Sequence, residues 1–153
     1  MNWIELLSNI EIFQNLDEEQ LKLVEKCIEE KKFADGEEIF HENSKESDLY
    51  ILLEGRVQVK VDLDKTEQAT IHTILPGRLF GEFAFIDDQP RSATAHVIKN
   101  CSVLKIQKEK LIKLFEENNA IGYKVMYNLS RVFARRIRQT AHELKVSLMW
   151  EKS

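Results

Sequence analysis

The residues best suited to chemistry in this 153-residue chain lie in one short stretch, FGEFAFIDDQPRSATA at 80–95. It brings together Gly81, Glu82, Arg91 and Ser92. An arginine offers a planar fork of N–H donors that matches phosphate oxygens, and it does not give up its charge. Ser92 beside it adds a hydroxyl. Gly81 lets the backbone approach a ligand closely, and EFAFI suits a single helical turn whose free N–H groups face an anion. Glu82 would repel a phosphate, so it fits a different part of the ligand, such as a sugar hydroxyl. A phosphate ester joined to a sugar accounts for the whole set. The plain alternative is an ion pair between Glu82 and Arg91 beside a turn.

Other chemistries find little support. His41, His72, His96 and His142 are scattered and lack the paired spacing and nearby acid of a metal site. Ser92 has no evident base and no flanking glycines of a nucleophile elbow, and Glu82 has no second acid to work with. The chain reads as a non-enzyme without metal or cofactor. Cys27 and Cys101 stand far apart, as reduced core thiols of a cytoplasmic protein do. The N-terminal MNWIELLSNIEIF lacks a basic start and a cleavage site. No window approaches the roughly 18 apolar residues of a membrane span. The expected location is the cytoplasm, away from membranes.

The elements that must hold the stretch are legible in outline. The first thirty residues read as helical. Asp17 and Gln20 resemble a capping box, and Leu21, Val24, Cys27 and Ile28 form an apolar face. From Phe33 onward, ADGEEIF, DLYILLEGRVQVKV, ATIHTILPG, SATAHVI and SVLKI read as short strands between turn residues. Val57-Gln58-Val59-Lys60-Val61 alternates, so that strand should have one dry face. KEKLIKLFEEN is then a short amphipathic helix. The remainder predicts a helix of about thirty residues, roughly 45 Å long, with Gly122 as a weak point. Val125, Leu129, Val132, Phe133, Ile137, Leu144 and Leu148 recur on it at threes and fours.

The fold class expected is α+β, mainly β: an antiparallel β-roll or jelly roll with N-terminal helices and a long C-terminal helix. It forms one domain over 1–153, with helices at 1–32, the roll at 33–107 and helices at 108–153. So long a helix has more apolar face than a small barrel covers, which predicts a homodimer. The charge is uneven. Residues 118–153 hold 7 Lys/Arg against 2 Asp/Glu, while the rest of the chain holds 15 against 24. A solvated basic helix face explains this better than a nucleic-acid arm.

FGEFAFIDDQPRSATA resembles the phosphate-binding cassette of the cyclic nucleotide-binding domain family, placed here at 80–93. In that pattern F-G-E, small and apolar residues and R-[ST/A]-A follow in order. DGEEIFHENSKESDLYILLEGRVQV resembles the family's early strands, with corners at Gly36 and Gly55, and IHTILPGRLFGE its approach to the cassette. The resemblance covers nearly the whole chain and implies a β-roll with flanking helices. It implies that Glu82 accepts the ribose 2′-hydroxyl and that Arg91 holds the cyclic phosphate. Ser92 and backbone N–H groups near Gly81, Phe83 and Ala84 complete the cradle, and Ala93 closes the motif.

ARRIRQTAHEL resembles the central helix of the family's bacterial transcription regulators. There Thr140 matches a residue that hydrogen-bonds the adenine, and Arg136 one that approaches the cassette glutamate. Ala141 departs from the pattern, standing where a serine reaches the base from a partner subunit. A chain that stops at Ser153 holds no helix-turn-helix, so no specific DNA binding is expected. The resemblance implies a stand-alone regulatory module that senses cyclic AMP, ahead of cyclic GMP, and acts on an unidentified protein through its long helix. The alternative is a dimeric adaptor with a vestigial cassette.

Overall fold

The computed structural model describes residues 2–153, as five helices, a 3-10 turn and six strands. Helix α1 (Trp3–Ser8) begins where Asn2 Oδ1 accepts the Glu5 N–H at 3.2 Å, and the 3-10 turn Glu11–Phe13 follows. Helix α2 (Glu18–Glu25) opens on the expected capping box. The Gln20 N–H donates to Asp17 Oδ1 at 2.8 Å, and the Asp17 N–H donates to Gln20 Oε1 at 3.0 Å. Leu21 and Val24 are buried as expected.

The helix stops at Glu25, which corrects the reading of Cys27 and Ile28 as helical. Ile28 instead opens strand β1 (Ile28–Phe33). IEEKKF has little strand character of its own. Its partner makes it a strand, because every residue from Ile28 to Phe33 pairs with strand β6, Ile106 through Cys101.

The other strands are β2 (Glu38–Phe40), β3 (Leu49–Asp62), β4 (Gln68–Ile74), β5 (Leu79–Phe80) and β6 (Thr94–Ile106). All pairings are antiparallel, in the order β1-β6-β3-β4, with β2 also on β6 and β5 also on β3. SATAHVI and SVLKI, read as two strands, are one: β6 continues through Lys99-Asn100-Cys101. Its register with β3 shifts repeatedly between Leu52 and Val57, where Gly55 turns at φ +94°. A Cβ at Gly55 would lie 2.3 Å from the Asn100 carbonyl oxygen, so only glycine lets the two backbones come this close.

Tyr50, Leu52, Val57, Ile74, Phe80, Val97 and Val103 form the core of this sheet. The alternation at 57–61 yields a graded face rather than a dry one. Val57 is buried, whereas Val59 and Val61 are half-buried. The β3–β4 register slips between Val59 and Lys60, and Ile71 stays 54% exposed.

The chain divides into two compact units: the sheet region Lys26–Ile112, and the chain up to Glu25 together with Lys113–Ser153. Helix α4 (Lys108–Glu117) crosses the boundary, and α5 (Asn119–Glu151) runs 33 residues from an N-cap at Asn118. In the helical unit, the buried Asn128 amide donates to the carbonyls of Ile12 at 3.1 Å and Gln14 at 2.9 Å, tying α5 to the 3-10 turn. Arg135 makes a two-pronged ion pair with Glu11, both contacts at 2.7 Å. Gly122 is also a packing position, since an added Cβ would meet Phe115 Cβ at 3.0 Å. Ile121, Val125, Leu129 and Val132 are buried, but Ile137 is 67% and Leu144 59% exposed. No helix among the described residues is long and apolar enough to cross a membrane.

Candidate ligand-binding site

EFAFI forms the single helical turn expected of it, α3 (Glu82–Asp87). Left-handed residues bracket it, Gly81 (φ +79°) before and Asp88 (φ +57°) after. At Gly81 an added Cβ would stand 2.7 Å from Nη1 of Arg91. Glycine is therefore favoured twice there, by the backbone angle and by the guanidinium. Asp88 is fixed by an ion pair with Lys108, the first residue of α4.

Arg91 is 2% exposed and lies inside a cage. Its Nε donates to Glu46 Oε2 at 3.1 Å, and Nη2 donates to the same oxygen. Nη2 also donates to the Asp48 carbonyl at 2.6 Å, and Nη1 donates to the Gly81 carbonyl at 2.9 Å. A guanidinium has five N–H donors, so these four contacts leave one, on Nη1 beside Gly81. The guanidinium carbon sits 4.1 Å from the centre of the Phe40 ring, a cation–π contact. Phe40, Tyr50 and Phe80 cluster behind it, with Tyr50 and Phe80 stacked at 5.4 Å. The main chain is pinned too. The Arg91 N–H donates to the Ser44 carbonyl and the Asn43 N–H to the Arg91 carbonyl, both at 2.8 Å.

Glu46 is held in turn. Its Oε1 accepts the Asp48 N–H at 2.9 Å and the Tyr50 hydroxyl at 3.2 Å. Burial pushes the Tyr50 phenol well above its ordinary pKa, and the Glu46 charge adds to this while Arg91 opposes it. The Asp48 carboxylate accepts the backbone N–H of Lys108 at 2.9 Å and pairs with Lys105 at 3.5 Å.

Of the residues singled out from the sequence, Gly81 and Arg91 are joined directly by a hydrogen bond. Glu82 is buried as the first residue of α3, Ala84 and Ala93 are buried, Phe83 is 54% exposed and Ser92 is exposed. Arg91 takes Glu46 as its carboxylate partner, which replaces the considered Glu82–Arg91 pair. Arg136, half-buried, and Thr140, exposed, belong to α5 in the other unit. Sequence reasoning missed Phe40, Glu46, Asp48 and Tyr50. A buried arginine needs a counter-ion, and SKESDLY places acids just before the strand that receives Phe80. That was the available signal.

The arrangement is a buried guanidinium held in one orientation by Glu46, the Asp48 carbonyl and the Gly81 carbonyl. The family model of the cyclic nucleotide-binding domain matches residues 30–118 of this chain. Potassium channel KAT3 of Oryza sativa subsp. japonica is 36% identical over 100 residues, or 65% of this chain and 20% of its own length. Cyclic AMP receptor protein of Thermus thermophilus is 26% identical over 133 residues, or 87% of this chain and 60% of its own. The chain thus spans less than two thirds of either curated relative. A solved Geobacter metallireducens chain named for cyclic nucleotide binding superposes with a TM-score of 0.76 at 32% identity. The match covers 90% of this chain and 99% of that one.

Proposed function

This chain belongs to the cyclic nucleotide-binding domain family, a regulatory rather than catalytic domain, and on that premise we propose that it binds cyclic AMP in preference to cyclic GMP. The observation that carries the reading is the buried, caged Arg91, with one N–H left beside Gly81. Its orientation is settled before any ligand arrives, so binding does not spend free energy on ordering it.

In this reading the remaining Nη1 N–H of Arg91 meets a phosphate oxygen. Backbone N–H groups of Phe83 and Ala84 and the Ser92 hydroxyl complete the cradle, with Gly81 and Ala93 keeping the approach clear. Glu82 accepts the ribose 2′-hydroxyl. Thr140 and Arg136 give α5 a part in the response to ligand. A ligand shifts α5 only by its difference in affinity for two arrangements. The exposed Ile137, Leu144 and Leu148 fit a helix that pairs with a second copy and carries the response to a protein partner. The buried Cys27 and Cys101 suit a cytoplasmic setting.

Isothermal titration with cyclic AMP and then cyclic GMP tests this. Micromolar or tighter binding, about −8 kcal/mol, with cyclic AMP the stronger ligand, is expected. One observation favours a second reading, a dimeric adaptor with a silent cassette: Arg91 already has a carboxylate partner in Glu46. No heat and an unmoved melting temperature at millimolar nucleotide would establish that reading instead.

A further inference from the structure

The cage around Arg91 is balanced in charge. Arg91 faces Glu46, Lys105 faces Asp48 and Lys108 faces Asp88. Each cation tied into the cage therefore has a carboxylate of its own. Glu46 is the decisive member, since its Oε2 takes both Nε and Nη2 of the guanidinium that would meet the ligand. Its other oxygen is fixed by Asp48 and Tyr50, so it cannot swing away cheaply.

We propose that Glu46 sets the charge of the anion this site accepts, making it selective for a singly charged phosphodiester over a doubly charged phosphomonoester such as linear 5′-AMP. The inference rests on the cyclic nucleotide reading above. A cyclic phosphate carries one negative charge and needs donors more than net positive charge. A phosphomonoester, with its second pKa at about 6, carries close to two charges at pH 8. The second charge finds no uncommitted cation in the cage and lies across one guanidinium from Glu46. Rejection by a placed like charge is a general route to specificity. A sensor built this way ignores the product formed when the cyclic ester is hydrolysed.

The test is titration of the full chain at about pH 8 and fixed salt with three ligands: cyclic AMP, 5′-AMP and the methyl ester of 5′-AMP. The methyl ester is linear yet singly charged, so it separates charge from ring shape. The wild type is expected to bind it at least tenfold more tightly than 5′-AMP. Glu46→Gln, which keeps the hydrogen-bonding shape and removes the charge, is expected to narrow the ratio of cyclic AMP to 5′-AMP affinity at least tenfold. If the methyl ester binds as weakly as 5′-AMP, or the ratio is unmoved in Glu46→Gln while cyclic AMP still binds, the inference falls and the binding reading stands. Binding of none of the three ligands overturns both. Should Glu46→Gln fail to fold, the methyl-ester comparison on the wild type decides alone.

Discussion

The carbonyl oxygen of Gly81 accepts the Nη1–H of Arg91 at 2.9 Å, so the residue that turns the chain into α3 also holds the guanidinium in place. A methyl group at Gly81 would stand 2.7 Å from that nitrogen, on a backbone at φ +79°. Gly81→Ala should cost about 1–2 kcal/mol of stability from the backbone angle alone. It should also weaken cyclic AMP binding at least tenfold by displacing Arg91. Melting and calorimetry on the same sample check both; full affinity in the variant would detach Gly81 from the site.

Arg91→Lys keeps a positive charge and loses the fork. A single nitrogen with three N–H donors cannot stand where Nε, Nη1 and Nη2 stand and replace their four bonds to Glu46 and to the Asp48 and Gly81 carbonyls. Affinity for cyclic AMP should fall at least tenfold, and urea unfolding should show a loss of about 2 kcal/mol from acceptors left under-served. A variant with wild-type affinity would mean that charge, not geometry, is what the site needs.

Asn128→Ala tests the helical unit. The change leaves the Ile12 and Gln14 carbonyls without the amide that joins them to α5. A destabilisation of about 2 kcal/mol is expected, together with faster hydrogen exchange around the 3-10 turn. If exchange there is unchanged, the amide is not what secures the turn.

Alkali should weaken the fold in a defined direction. Burial raises the thiol pKa of Cys27 and Cys101 above the ordinary 9.0, and burial likewise raises Tyr50. Each group holds its proton more tightly folded than unfolded. Its contribution to stability is therefore complete below the ordinary pKa and is lost as pH climbs through and beyond it. The urea midpoint should fall between about pH 8 and pH 10.5, with a shallower slope in the Cys27→Ala, Cys101→Ala double variant. Identical slopes would remove the thiols from the account.

What the sequence disclosed about the fold was what local chemistry controls. The capping box at Asp17 and Gln20, the turn at EFAFI and the long helix capped by Asn118 all depend on neighbours in the chain, and all formed as expected. The failures share a different cause. β1 is a strand because of β6, far away in sequence, and β6 is continuous because Gly55 lets β3 follow it. Propensity at Gly122 likewise says nothing of Phe115 pressing on that spot. The site divides along the same line. Gly81 and Arg91 announced themselves by spacing, while Glu46 and Phe40 reach the guanidinium only through tertiary folding.

Strand β6 pairs with β1, β2 and β3, yet it is made after all of them. During synthesis at about 5–20 residues per second, β1 and β2 wait for several seconds before their partner leaves the ribosome. Ile28 cannot close its pairing until Ile106 exists. An apolar strand left open that long would invite neighbouring nascent chains. The middle of β1 is Glu29, Glu30, Lys31 and Lys32, a sequence poor at recruiting strangers and sufficient once its own partner arrives. The charges that hid this strand from a reader of the sequence also shield it from other polypeptides while it waits.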